Sequence, residues 1–99
     1  MNLSELKKSE TPRVAMYYGM GCAPCQRLKP EYKTVCESIG VEPTTINSAV
    51  DMEGLREMGI RSVPTVIGVK NGEAIVLFQG YLHPEAVQRK LTEFLLANK

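Results

Sequence analysis

No stretch of this sequence stays apolar for anything near the roughly 18 residues that a membrane-spanning helix needs, so no membrane association is expected. The opening residues, Met1 to Lys8, lack the apolar centre of a signal peptide. An excess of charge of one sign is also missing. The 12 basic and 11 acidic residues give +1 and are mixed along the chain, which leaves no electrostatic footprint for nucleic acid or anionic lipid. There is no tryptophan and one histidine, so a serine–histidine–aspartate hydrolase would hang on His83 alone. Cysteine is scarce and odd in number, whereas a disulfide scaffold needs an even, higher count. A reducing compartment, a cytoplasm, is therefore expected, with any bond between cysteines transient. Internal repeats, low-complexity tracts and long linkers are lacking. The 99 residues, 43% apolar and 23% charged, read as one soluble globular domain over residues 1–99.

What is present is an alternation of helical and strand patterns. Asn2 to Glu10 is polar with Leu3 and Leu6 one turn apart, which predicts a short, weakly held amphipathic helix ended by Thr11-Pro12. Val14 to Tyr18 is an apolar run of buried-strand length. Leu28, Tyr32, Val35, Cys36 and Ile39 then share one helical face, with Pro30 predicting a kink and Gly40 the end. Val41 to Ile46 reads as a second strand. Asp51 caps a short helix with Met52, Leu55 and Met58 inward and Gly59 at its end. Thr65 to Val69 and Ala74 to Phe78 are strands joined by Asn71-Gly72, a strong hairpin signal. His83-Pro84-Glu85 opens a last helix, with Val87, Leu91, Phe94 and Leu95 on its apolar face. Strand–helix–strand units followed by a hairpin and a helix predict an α/β fold. Its centre is a four-stranded mixed sheet with helices on both faces.

The chemistry concentrates at Cys22-Ala23-Pro24-Cys25, between a strand and a helix. The reactive form of a cysteine is its thiolate. At a helix N-terminus, unpaired N–H groups and the helix dipole favour negative charge, which predicts a lowered pKa for Cys22. Pro24 suits a first helical turn. Cys25 lies three residues before Leu28 on the apolar face and is expected to be the more buried thiol. Residues three apart on a helix are neighbours, so a disulfide between them is feasible. The pattern suggests a two-step exchange in which Cys22 attacks a substrate disulfide and Cys25 resolves the mixed disulfide. A CxxC is also half of a zinc site, but four ligands are wanted and only Cys36 and His83 remain. No metal is expected. Cys36, on the core face of its helix, reads as a buried structural cysteine. His83 reads as a surface or cap residue, and Arg61 as a solvated charge that stands within reach of a partner.

From Val14 onward the chain resembles the thioredoxin family. Cys22-Ala23-Pro24-Cys25 is similar to the family's Cys-Gly-Pro-Cys, and Pro30 matches the proline of its active-site helix. Gly59-Ile60-Arg61-Ser62-Val63-Pro64-Thr65 resembles the family's segment before its third strand. Lys70-Asn71-Gly72-Glu73 matches its hairpin, and Gly80 its glycine after the last strand. The resemblance implies a thioredoxin-like fold and a cis bond between Val63 and Pro64. It implies that Gly21, Ala23, Pro24, Val63, Pro64 and Gly80 contact the substrate, whose extended backbone pairs with the loop before Pro64 as an added strand. It further implies a monomer that binds no cofactor. Electrons would come ultimately from NADPH through a thioredoxin reductase-like enzyme and pass to disulfide-containing client proteins. Ribonucleotide reductase is a usual client of the family, although no residue here points to it.

The chain also departs from the family pattern. Gly21 stands where the family usually has a tryptophan, leaving Met20 either as a soft substitute surface or as ordinary filler. Met16 holds the position of a buried aspartate linked to proton transfer at the second cysteine, and Thr44 and Thr45 occupy the strand of that aspartate's lysine partner. Tyr18 holds the place of another family tryptophan. The N-terminal part is shorter by roughly one strand. These losses suggest a minimal redoxin and keep open a glutaredoxin-like, glutathione-dependent reductase, or a thioredoxin-fold binding subunit. Pro24 before the second cysteine, rather than after the first, and the lack of a Gly-Gly-x-x-Asp segment near Gly80 favour the protein-disulfide reductase.

Overall fold

The structure, a computed structural model, describes residues 1–98. Its elements are α1 (Leu3–Leu6), β1 (Arg13–Tyr18), α2 (Ala23–Ile39), β2 (Pro43–Asn47), a 3-10 turn (Ser48–Val50), α3 (Met52–Met58), β3 (Thr65–Lys70), β4 (Glu73–Gln79) and α4 (Pro84–Ala97). The four strands form one mixed sheet in the order β2-β1-β3-β4, with β1 parallel to β2 and the other pairs antiparallel. This is the expected architecture.

Period-two alternation along β1 divides the interior into two cores. Val14 and Met16 face α2 and α4, where Cys25, Leu28, Tyr32, Val35, Val87, Leu91 and Phe94 close one core. Ala15 and Tyr17 face the other side with Ile46, Ile60, Ile67, Leu3 and Leu6. Central strands covered on both faces must be mostly apolar, and β1 and β3 are so between their polar ends. The edge strand β4 departs from that rule. Ile75 and Val76 are exposed, and a bulge shifts the register, so that Val66 faces Phe78 and Ile67 faces Val76. Asn71 and Gly72 both adopt positive φ, as the tight turn joining β3 to β4 requires.

The expected N-terminal helix is present with narrower bounds, and one expectation, an inward Met52, fails. The N-terminal segment is helical only over Leu3–Leu6, yet it is firmly anchored, since Leu3 and Leu6 are each 1% exposed. A weak amphipathic pattern undercounts burial when both of its apolar residues enter a core. Met52 points outward at 58% exposure, whereas Leu55 and Met58 pack inward as expected. Asp51 is the N-cap of α3 and is buried, and that pins the first turn so that Met52 faces solvent. Helix α2 stays continuous across Pro30, on its exposed side, where the missing N–H costs the ladder a bond next to water.

Candidate active site

Three chain segments meet where β1 ends. Gly19 to Gly21 carry the chain from β1 to α2, and Gly21 has φ 73°, a conformation glycine adopts at no steric cost. Cys22 is the N-cap of α2 and Pro24 lies in its first turn. The backbone N–H of Cys25 donates to Cys22 Sγ at 3.2 Å, which fills one of the orphan donors of the helix start with sulfur. Cys22 and Cys25 form a disulfide, with Cα atoms 5.3 Å apart. Cys25 is 3% exposed and belongs to the core, while Cys22 is half-buried and Ala23 and Pro24 are exposed.

The second segment is the loop before β3. The Val63–Pro64 peptide bond is cis. The Val63 carbonyl oxygen lies 3.7 Å from Cys22 Sγ. In the disulfide that sulfur carries no proton, and only a reduced thiol would donate across the gap. The third segment follows β4, where Gly80 N–H donates to the Pro64 carbonyl at 2.8 Å and Gly80 has φ 80°. Val63, 41 residues from Cys22 in the chain, is thus brought against the disulfide, and Gly80 is tied to the same loop through Pro64, while Gly21, Ala23 and Pro24 flank the cysteines in sequence. Gly19 makes a close approach that its sequence position did not signal, for a methyl group there would sit 3.2 Å from Val63 Cγ2.

Beside the disulfide, Met20 is 83% exposed, which excludes it as core filler. Tyr18 lines a small cavity of about 140 Å³ with Cys25, Gln26 and Lys29. The Lys29 ammonium lies 4.7 Å from the Tyr18 ring centroid, a cation–π contact. On the flank toward α4, Tyr81 donates to Glu31 Oε1 at 2.8 Å and the Arg27 guanidinium lies 4.4 Å from its ring centroid. The hydrogen bond to Glu31 raises the Tyr81 pKa. Glu31 and Tyr81 escaped the sequence reading because they are 50 residues apart and neither belongs to a motif.

Met16 is fully buried in the Cys25 core. Asp51, the one buried carboxylate among the described residues, belongs to the opposite face, where it accepts from Tyr17 Oη at 2.7 Å and Leu3 N at 2.9 Å. Burial, then the bond to Asp51, pushes the Tyr17 hydroxyl upward. Cys36 is buried and free, its thiol pushed up to about 11, mainly by burial. His83 is exposed at the N-cap of α4 without a side-chain cap bond, edge-on to Tyr81. Among the described residues, no group of three or more His, Cys, Asp or Glu side chains is arranged to hold a metal, and no helix is long and apolar enough to cross a membrane.

Residues 3–93 match the thioredoxin family, and the chain belongs to that family. It is 29% identical over 94 residues to a probable thioredoxin-2 of Caenorhabditis elegans, an alignment that takes in 91% of this chain and 63% of that protein. It is 32% identical over 79 residues to chloroplastic thioredoxin Y of Oryza sativa, across 78% of this chain and 47% of that one. The chain thus spans less than two thirds of the length of both relatives. Thioredoxin of Malassezia sympodialis superposes with a TM-score of 0.79 at 21% identity, over 93% of this chain and 82% of that one. Family membership and the closely paired Cys22 and Cys25 together support a thiol–disulfide oxidoreductase.

Proposed function

We propose that this chain, acting as one domain over residues 1–99, is a protein-disulfide reductase with Cys22 as nucleophile and Cys25 as resolving thiol. One observation carries the division of roles: Cys22 caps α2, half-exposed and hydrogen-bonded by Cys25 N–H, whereas Cys25 is buried beneath it. The helix start stabilises a thiolate on Cys22. That thiolate attacks one sulfur of a client disulfide. The client S–S bond breaks, a Cys22–client bond forms, and the leaving client thiolate takes a proton. The Cys25 thiolate then attacks Cys22 Sγ, the mixed disulfide breaks, and the second client thiolate is released and protonated. Two electrons have passed to the client, and the Cys22–Cys25 disulfide remains.

Val63 and Pro64 offer backbone to an extended client segment, with Gly21, Ala23, Pro24 and Gly80 leaving room for it. With Met16 in the core in place of a buried carboxylate, the Cys25 proton leaves to water or to another group. The electrons are returned from NADPH through a thioredoxin reductase-like enzyme. The chain works as a monomer without a bound cofactor, and its odd cysteine count fits a cytoplasm. The test is reduction of insulin with NADPH, with thioredoxin reductase in one arm and glutathione plus glutathione reductase in the other. Turnover with thioredoxin reductase alone is expected. Turnover with glutathione alone would make the protein a glutaredoxin in function. A Cys22→Ser, Cys25→Ser double variant that keeps full biological function would make it a binding subunit.

A further inference from the structure

A groove of about 350 Å³ runs from the Val63 side of the disulfide between the 3-10 turn, α3 and the loop before β3. Its lining includes Ser48, Met52, Leu55, Arg56, Arg61 and Val63. Val63 joins it to the chemistry, because its carbonyl faces Cys22 Sγ at 3.7 Å. The lining is apolar along Met52, Leu55 and Val63, with Met52 58% exposed. Its charges are of one sign. Arg56 and Arg61 are exposed, no carboxylate lines the groove, and neither arginine is in an ion pair among the described residues. The nearby carboxylates are engaged elsewhere or face away: Asp51 is buried against Tyr17, Glu57 pairs with Lys7, and Glu53 lies on the exposed side of α3 outside the lining.

We propose that this groove selects clients whose reactive cysteine is followed or preceded within about four residues by an acidic side chain. The inference rests on the disulfide-reductase reading above and names its substrate class. A client strand paired beside Val63 rises about 3.3 Å per residue, so side chains two to four residues from the attacked sulfur extend into the groove that Arg56 and Arg61 line. Guanidinium forks match carboxylates in a bidentate manner, and uncompensated arginines at a groove rim steer and orient an acidic segment. The apolar lining receives the side chain between them.

Three peptide disulfides of identical sequence test this, differing only in two aspartates, two lysines or two serines at those positions. Each is mixed with fully reduced protein freed of reductant, and single-turnover second-order rate constants are read by acid quench, alkylation and mass spectrometry. The aspartate peptide is expected to react about three- to tenfold faster than the lysine peptide at low salt, with the ratio shrinking as ionic strength rises. Arg56→Glu with Arg61→Glu is expected to invert the ratio, and Arg56→Lys with Arg61→Lys to retain its direction. Equal rates for aspartate and lysine peptides in the unaltered protein would overturn the groove proposal while leaving the reductase intact. Failure to reduce even the serine peptide would instead overturn the reductase reading on which it stands.

Discussion

At the residue scale, the three cysteines differ by environment. Cys22 accepts an N–H at a helix start and stands half-exposed, whereas Cys36 is sealed in the core with its thiol pushed up to about 11 by burial. In reduced protein at pH 8, iodoacetamide is expected to label Cys22 first and to leave Cys36 untouched until denaturant is added. Rapid labelling of Cys36 in the native state would contradict its burial. The same thiol couples folding to pH. Folded Cys36 holds a proton that the unfolded chain releases near pH 9, so stability is lost as pH rises from about 9 to about 11, by at most about 1.4 kcal/mol per pH unit. Tyr17 and Tyr32 are raised in the same direction, so the comparison is between slopes. Denaturant midpoints for Cys36→Ala should fall less steeply across that window than those of the unaltered protein.

Asp51 is a second decisive residue. It caps α3 through Gly54 N at 3.2 Å while accepting from Tyr17 and Leu3. Asp51→Ala strands three buried donors and should cost about 2–4 kcal/mol in urea unfolding, with the site chemistry retained. A loss below 1 kcal/mol would mean that water replaces the carboxylate.

At the element scale, close packing of helices on the sheet leaves no room at Gly68. A methyl group there would meet the Phe94 ring of α4 at 2.6 Å. Gly68→Ala is therefore expected to destabilise by about 1–3 kcal/mol through overpacking, and Phe94→Leu in the same chain should recover part of it. Thermal melts of the two variants decide the matter. Helix α1 contributes more than its four residues suggest, because Leu3 and Leu6 each bury a full side chain. Leu6→Ala should cost about 2–5 kcal/mol, the range for a large-to-small change in a packed core.

At the scale of the whole molecule, the sheet order brings three distant segments to one end of β1, and the proposed chemistry depends on all of them. A Cys25→Ser variant is expected to accumulate mixed disulfides with client proteins, visible as bands lost on reduction in gel electrophoresis, while Cys22→Ser accumulates none. Trapping by Cys22→Ser would reverse the roles assigned to the two thiols.

Local patterns sufficed for much of this molecule. The Asn71-Gly72 turn and a CxxC at a helix start rest on interactions between near neighbours, which are written in adjacent positions, and β1 shows as an apolar run because both of its faces are covered. The cis bond before Pro64 was implied only by the family resemblance, since local pattern reads that proline as a turn or strand start. Tertiary structure alone decided the partners that sequence separation conceals. Tyr81 meets Glu31 across 50 residues and Leu3 meets Asp51 across 48. Arg56 and Arg61 become one groove only when α3 folds beside Val63. A hydrogen bond or a shared cavity has no period along the chain. Which polar groups meet is set by how the two cores close, and closure depends on every element at once.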